Sequence, residues 1–166
     1  MKTDLKAALK DVSQNREAVI DKLVEFSGTD MLLFWGENKD LIERQQKLWQ
    51  PILDWAQQTM DMELEITSGI DVPEQDEKNG ALMHAFLEGL SDKELLAFFK
   101  AALDMRSVLL AAALVKGRLT AEQAFEAAFV EELWQSETWG VVEEAQERRD
   151  ELKAELIEIE KFLKSA

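Results

Sequence analysis

Apolar residues recur every three to four positions along most of this chain, which is the spacing of one helical face. Only two prolines and seven glycines stand among its 166 residues, so few positions would interrupt a helix. We therefore predict a mainly α fold, an orthogonal multi-helix bundle that forms a single domain over residues 1–166. The periodic segments place helices at about 2–26 (as one or two helices), 39–60, 81–90, 91–103, 105–115, 120–133 and 142–163.

One segment differs from the others in having no polar face. Residues 105–115 are apolar apart from Arg106 and Ser107. A helix of this kind is packed on every side, so we expect it at the centre of the bundle, ending at Gly117 in a left-handed cap. Its apolar run, Val108–Val115, is far shorter than the roughly 20 residues that span a bilayer, which argues against membrane insertion.

Two short segments carry a different pattern. Residues 31–35 form an apolar run between Gly28 and Gly36, which we interpret as a buried strand, and residues 62–67 alternate apolar and polar side chains, the period of a strand. A lone strand would leave its backbone groups unpaired, so the two segments are expected to pair. Because a helix connects them, the pairing should be parallel with a right-handed crossover. The fold then contains at most a small two-stranded ribbon.

Local signals define several helix ends. Ser91 with Glu94, and Thr120 with Gln123, have the capping-box spacing, in which each side chain satisfies an unpaired backbone amide. Pro51 lies inside an otherwise helical pattern, where its ring and missing N–H predict a kink or a new helix start.

The net charge of −15 narrows the possible functions. Such an acidic chain is repelled by phosphate backbones and by anionic lipid, so we expect neither nucleic-acid nor membrane-surface binding. Residues 61–80 hold seven acids and one base, and residues 119–166 hold thirteen acids and five bases. These regions are either solvated faces that keep the chain soluble or a surface that meets a basic partner.

Residue types needed for catalysis are sparse. No cysteine is present, so disulfides and thiolate metal sites are impossible, and the opening residues lack the apolar core of a secretory signal. The single histidine, His84, has Glu88 one turn away, which falls short of the three protein ligands of catalytic zinc. The acid pairs 131–132 and 143–144 are a minor alternative as a carboxylate dyad, but nothing adjacent would raise one pKa selectively. We therefore expect no metal, no cofactor and no enzymatic activity.

The five tryptophans fall into two groups. Trp35, Trp49 and Trp55 lie on apolar stripes and are expected in the core. Trp134 and Trp139 stand among acids at the junction of the last two helices, where two interpretations stay open. Either they pack the two helices together at this corner, or they belong to a binding surface, since aromatic residues beside charge are typical of binding hot spots.

The same junction carries a recognisable motif. The pattern Glu132-x-x-Gln135-x-x-x-Trp139-Gly140 resembles a signature of the assembly chaperones that bind the alpha subunit of the F-type ATP synthase catalytic head, the ATP-twelve family. Further segments are similar to this family in the same order: 28–32 (Gly-Thr-Asp-Met-Leu), Arg44-Gln45, Trp49-x-Pro51-x-Leu53-x-Trp55, 67–70 (Thr-Ser-Gly-Ile), and Ser107 with the apolar run that leads to Gly117-Arg118-Leu119. Their order and spacing over residues 16–163 make the match specific. The chain departs from the family at Arg106, where glycine is usual, and at Val141-Val142, where acids are usual.

The resemblance implies a client-holding function. It implies a chaperone that works without ATP, binds the unassembled alpha subunit and prevents the aggregation of that subunit before assembly. It implies a location in the bacterial cytoplasm, or in the mitochondrial matrix of a eukaryote. The partner-binding residues would lie at the acidic corner: Glu131, Glu132, Trp134, Gln135, Trp139 and Gly140.

Two questions about organisation accompany this interpretation. Members of the family carry a β-rich N-terminal domain. We expect residues 1–166 to correspond to the helical domain alone, either because the β-rich domain was removed or because the natural protein lacks it. The last helix carries a 3-4 apolar repeat with Arg149 as its only polar member: Val142, Ala145, Leu152, Leu156, Ile159 and Leu163. The repeat has too few heptads for a dimer seam, so we expect a seam within the molecule and a monomer. The alternative function is a helical structural or adaptor protein that keeps the fold and binds a different protein partner.

Overall fold

The computed structural model describes residues 5–68 and 73–165. Over these residues the chain forms nine α-helices, one 3-10 turn at Met31–Leu33 and no extended sheet, so the predicted mainly α fold is confirmed. In chain order the helices are α1 (Leu5–Gln14), α2 (Arg16–Ser27), α3 (Lys39–Met60), α4 (Lys78–Glu88), α5 (Asp92–Met105), α6 (Val108–Val115), α7 (Ala121–Ala128), α8 (Val130–Trp139) and α9 (Glu143–Lys164).

Helix α6 lies at the centre of the bundle, as its composition predicts. Residues 108–114 are each at most 3% exposed, and the helix packs against α2, α3, α5, α7 and α9. Ser107 caps it by accepting a hydrogen bond from the N–H of Leu110 at 3.0 Å. The chain leaves α6 through Gly117 in the predicted left-handed conformation, with φ of 74°. Within the described residues, no helix combines the length and the apolar character needed to cross a membrane.

The two segments predicted as strands pair with each other over a short length. A parallel bridge joins Phe34 to Thr67. The N–H of Trp35 donates to the carbonyl of Thr67 at 2.7 Å, and the N–H of Thr67 donates to the carbonyl of Leu33 at 2.8 Å. The predicted parallel pairing is therefore confirmed at this bridge.

The conformation of residues 31–33 differs from the prediction. They form a 3-10 turn instead of a buried strand. The carboxylate of Asp30 accepts a hydrogen bond from the N–H of Leu32 at 3.0 Å, and an aspartate that accepts from the backbone N–H two residues ahead favours a turn. Asp30, which directly precedes the apolar run, therefore stabilises the turn at 31–33.

Helix ends and core tryptophans largely follow the local signals. Both capping boxes are present. Helix α3 runs without interruption through Pro51, so the predicted alternative of a new helix start is wrong. Trp49 is 2% exposed and donates its indole N–H to the carbonyl of Ala127 at 2.7 Å, while Trp35 and Trp55 are half-buried at the edge of the core.

Helix α9 packs along α5 and α7, so the apolar repeat of the last helix forms a seam within the molecule. Leu156 and Ile159 are buried in it, and Arg149 is its buried polar member. Val142 was expected in this seam but is 64% exposed. It lies one residue before α9 in an extended conformation, with φ of −94° and ψ of 120°, which takes its side chain out of the helical repeat.

Candidate functional site

Helix α8 carries five of the six predicted binding residues, and Gly140 ends it. The helix predicted over residues 120–133 is divided at Phe129, whose φ of −111° and ψ of 19° depart from helical values, so α8 is a separate helix. Gly140 has φ of 97°, which residues with a side chain rarely adopt. Positions 131, 135 and 139 fall on one face of α8 at a spacing of four, and all three are exposed.

Trp134 lies beside this face and is buried. It is 8% exposed, and its indole N–H donates to a carboxylate oxygen of Asp40, in the first turn of α3, at 3.0 Å. The ring of Trp139 lies edge-on to it, with centroids 5.3 Å apart and planes at 77°. The geometry therefore supports a packing role for Trp134 at this corner.

Glu132 is likewise occupied within the molecule. Its carboxylate lies 3.4 Å from Nη1 of Arg149, a guanidinium whose residue is 2% exposed. Nη2 of the same guanidinium donates to Ser136 at 3.2 Å and to Gln146 at 3.0 Å. Among the described residues, Nε of Arg149 has no hydrogen-bond acceptor. Because a buried guanidinium needs its counter-ion, Glu132 fixes α8 against α9.

Three apolar side chains at the end of α8 face solvent. Trp139, Val141 and Val142 are 71%, 63% and 64% exposed, and we call them the corner patch. The sequence predicts Trp139 as a binding residue. It predicts Val142 in the apolar repeat of the last helix and distinguishes Val141 only as a departure from the family motif. The signal that would have found them is an apolar pair directly after a helix-ending glycine, between two helices rich in acids.

Carboxylates lie on both helices that meet at the corner patch. Glu137 is exposed on the last turn of α8, and Glu143 and Glu144 are exposed on the first turn of α9, whereas Glu131 is exposed on the first turn of α8, at the other end of that helix. The guanidinium of Arg44 pairs with Glu137 at 2.5 Å, and hydrogen bonding to that carboxylate raises the pKa of Arg44. The corner therefore combines exposed apolar area with negative charge.

Other residues of the motif serve the interior of the protein. Asp30, Gln45 and Ser107 are each at most 1% exposed, and Gln45 accepts a hydrogen bond from the N–H of Gly36 at 2.9 Å. Residues 69 and 70 of the motif lie outside the described residues. These buried members of the motif thus maintain the fold, whereas its members Gln135 and Trp139 on α8 are exposed.

Asp104 on α5 and Glu155 on α9 form a titratable pair that their positions in the sequence do not indicate. The pKa of Asp104 on α5 is raised to about 7, first by burial and then by the charge of Glu155 on α9 and a hydrogen bond with it, while Lys100 lowers it. A carboxyl group that titrates near neutral pH suits acid–base catalysis when a substrate can reach it. One carboxyl oxygen of Asp104 is buried, and within the described residues it has no hydrogen-bond partner. Because a substrate cannot reach this atom, we assign the pair to packing between α5 and α9.

The histidine lies between two helices. On one side of His84, Nδ1 is 3.2 Å from Glu88, and on the other, Nε2 is 4.0 Å from Glu17 and from Asp21 of α2. Within the described residues, ligand atoms of Glu17, His84 and Glu88 lie within 4.8 Å of one another, close enough to be tested as metal ligands. These carboxylates are more than half exposed and would be solvated without an ion, so we assign no metal site.

Comparisons with known proteins point to one group of chaperones. The family model for the ATP12 chaperone protein matches residues 2–57, a segment that ends before α8. The mitochondrial protein atp12 of Schizosaccharomyces pombe is 25% identical over 156 residues, which is 87% of this chain and 54% of that protein. The chain thus spans about half the length of this curated relative.

Solved structures extend the similarity to the fold. The crystal structure of Atp12 from Paracoccus denitrificans matches with a TM-score of 0.90 at 28% identity, over 95% of this chain and 68% of that chain. The Atu1473 protein of Agrobacterium tumefaciens matches with a TM-score of 0.85 at 28% identity, over 94% of this chain and 59% of that chain. The resemblance that the motifs carry is thereby confirmed, and the chain is similar to ATP12 chaperones in both sequence and fold.

Proposed function

We propose that this chain is an ATP-independent assembly chaperone that binds the unassembled alpha subunit of the F-type ATP synthase and prevents its aggregation before assembly. The proposal is supported by the relation to ATP12 chaperones and by one surface observation, the 71% exposure of Trp139 beside acidic side chains. A contiguous exposed apolar patch on a protein surface marks a site for a partner.

The six candidate residues have two kinds of role in this proposal. Glu131, Gln135 and Trp139 share the exposed face of α8 and contact the client. Gly140 ends the helix and sets the direction of the chain beyond it. The two remaining residues, Glu132 and Trp134, act by position, because they hold α8 against α9 and α3.

Holding a client requires binding energy and no chemical step. An unassembled subunit exposes apolar surface that its neighbours later cover. The corner patch covers part of that surface, and the carboxylates on the two helices orient basic groups of the client and speed its association. Release follows when the beta subunits compete for the same surface, since permanent subunit interfaces are larger and more apolar.

We also propose that residues 1–166 act as one helical unit and as a monomer. Its place of action is the compartment in which the alpha subunit is assembled, the bacterial cytoplasm or the mitochondrial matrix.

An aggregation assay tests the proposal. Denatured alpha subunit is diluted into buffer containing the chain, and light scattering is followed over time. We expect the parent chain to suppress scattering near equimolar ratio and Trp139→Ala to lose most of this effect. Leu103→Ala, at a 56% exposed position on α5, is the matched control and should behave as the parent. Undiminished scattering with the folded parent chain would contradict the proposal, and full suppression by Trp139→Ala would remove the corner from it.

A further inference from the structure

Among the side chains whose exposure the structure describes, the corner patch is the one group of strongly exposed large apolar residues that are neighbours in sequence. Its three members lie within four consecutive positions, 139–142, and each is more than 60% exposed. Ile66 and Leu103, the remaining two, are 43% and 56% exposed and stand singly in the sequence. Single exposed apolar residues are ordinary on protein surfaces, whereas a contiguous group indicates an interaction site.

Packed structure holds the patch on both sides. The ring of Trp139 rests against Trp134, which is bonded to Asp40 of α3. Val142 leads directly into α9, which Arg149 fixes against α8. A surface held between two fixed helices loses less conformational entropy when it binds than a flexible loop does, so the patch is suited to contact with a partner.

The charge around the patch restricts the chemistry of that partner. Exposed carboxylates flank it on α9, at Glu143 and Glu144, and on α8, at Glu137, whose charge is paired with Arg44. They repel an anionic surface and attract lysine and arginine, whose approach they accelerate. A partner that matches both features has apolar side chains flanked by basic ones.

We propose that Val141 and Val142, together with Trp139, bind an apolar segment of the alpha subunit that is flanked by lysine or arginine residues. The inference rests on the proposed function and adds two specificity-determining residues, Val141 and Val142, to its site. The valines supply apolar contact area, whose contribution to the binding free energy is insensitive to salt. The carboxylates increase the association rate, and this effect depends on salt.

The test measures binding of purified, unassembled alpha subunit to the immobilised chain at low and at high salt. The serine pair, Val141→Ser with Val142→Ser, should raise the dissociation constant at least about tenfold, equivalent to about 1.4 kcal/mol. The increase should arise mainly from faster dissociation and should be similar at both salt concentrations. Leu103→Ser is the matched control and should stay within about twofold of the parent.

A second pair of variants tests the charge of the client. Val142→Lys and Val142→Glu both remove apolar area from the patch. Because the flanks of the bound segment are basic, the lysine variant should bind more weakly than the glutamate variant at low salt. The difference should shrink at high salt, where these surface charges are screened. Equal binding by the two variants at low salt would overturn the basic character assigned to the client segment.

The outcomes separate this inference from the function on which it rests. If the parent binds the alpha subunit and the folded serine pair binds equally well, the inference is wrong and the proposed function stands. If the parent does not bind, the proposed function fails and the inference fails with it. If the free parent sediments as a dimer and the serine pair as a monomer, the patch is a self-association surface, which also overturns the inference.

Discussion

The carboxylate of Asp30 accepts a hydrogen bond from the hydroxyl of Ser107 at 2.8 Å, at the start of the central helix α6. The same carboxylate accepts the backbone N–H of Leu109 at 2.9 Å and that of Leu32 at 3.0 Å. Burial raises the pKa of Asp30, and these hydrogen bonds act in the opposite direction. One buried acid thus joins the turn before α3 to the first turn of α6, whose unpaired amides favour a negative charge.

Replacing Asp30 by alanine should be strongly destabilising. It leaves two buried N–H groups, those of Leu32 and Leu109, without their acceptor, and each loss costs about 1–3 kcal/mol. We expect the free energy of unfolding to fall by about 3–5 kcal/mol in urea titrations. Asp11→Ala, at an exposed position on α1, serves as the control and should change by less than about 0.5 kcal/mol. A loss under about 1 kcal/mol for Asp30→Ala would contradict the bridging role.

Asp104 should make stability fall as pH rises. Its folded-state pKa is about 7, whereas an unfolded aspartate titrates near about 3.9. Between these values the folded state binds the proton more tightly than the unfolded state, so the free energy of unfolding decreases across this window and stays lower above it. Asp104→Asn should therefore raise stability at about pH 8 by roughly 1–2 kcal/mol, a figure reduced for partial solvent exposure.

The measurement for Asp104 is a series of urea titrations between about pH 5 and pH 8. Asp104→Asn should flatten the pH dependence of the free energy of unfolding. Glu158→Gln on α9, at a side chain that is 70% exposed, should leave the slope of the parent unchanged. The same slope in Asp104→Asn and in the parent would show that Asp104 does not titrate in this range.

Glu131 and Glu132 should respond differently to the same substitution. Glu132→Gln removes the charge that faces the buried guanidinium of Arg149 and should lower the free energy of unfolding by about 1–2 kcal/mol, less than for a fully buried pair. Glu131→Gln should stay within about 0.5 kcal/mol because its side chain is exposed. Thermal or urea unfolding of the two single variants checks this, and equal values would argue against the role assigned to Arg149.

Glu131 should affect the association rate of the client and not the free energy of unfolding. Glu131→Gln should slow the association of the alpha subunit severalfold at low salt, and the difference from the parent should disappear at high salt. Glu122→Gln, an exposed acid in the first turn of α7, is a control of equal charge change. Equal association rates for the parent and for Glu131→Gln at low salt would remove Glu131 from the contact surface.

Truncation within α6 should show that it is the core helix. Leu110 is 0% and Leu114 is 3% exposed, and replacing either by alanine should lower the free energy of unfolding by about 2–5 kcal/mol. Leu103→Ala on α5 removes the same atoms from a position that is 56% exposed and should cost less than about 1 kcal/mol. Values under about 1 kcal/mol for both core variants would be incompatible with this packing.

Local signals explain how much of this fold is predictable. The capping boxes at Ser91 and Thr120 depend on residues three positions apart, so sequence spacing identifies them directly. The burial of α6 follows from composition, since a helix without a polar side has to be covered all round. The short run at 31–35 is ambiguous by periodicity, and residues 31–33 form a turn in which Asp30 accepts hydrogen bonds from the N–H groups of Leu32 and of Leu109 on a distant helix.

The sequence by itself determined the helical class, most of the helix ends, the central helix and the motif that relates the chain to ATP12 chaperones. Tertiary structure alone decided which corner residues are free to bind. Glu131 and Glu132 are adjacent and identical in type, and only the position of Arg149 on another helix separates an exposed acid from a paired one. Successive residues on a helix point about 100° apart. The environment of each therefore depends on how the helix is rotated against its neighbours, which long-range packing sets and local spacing does not.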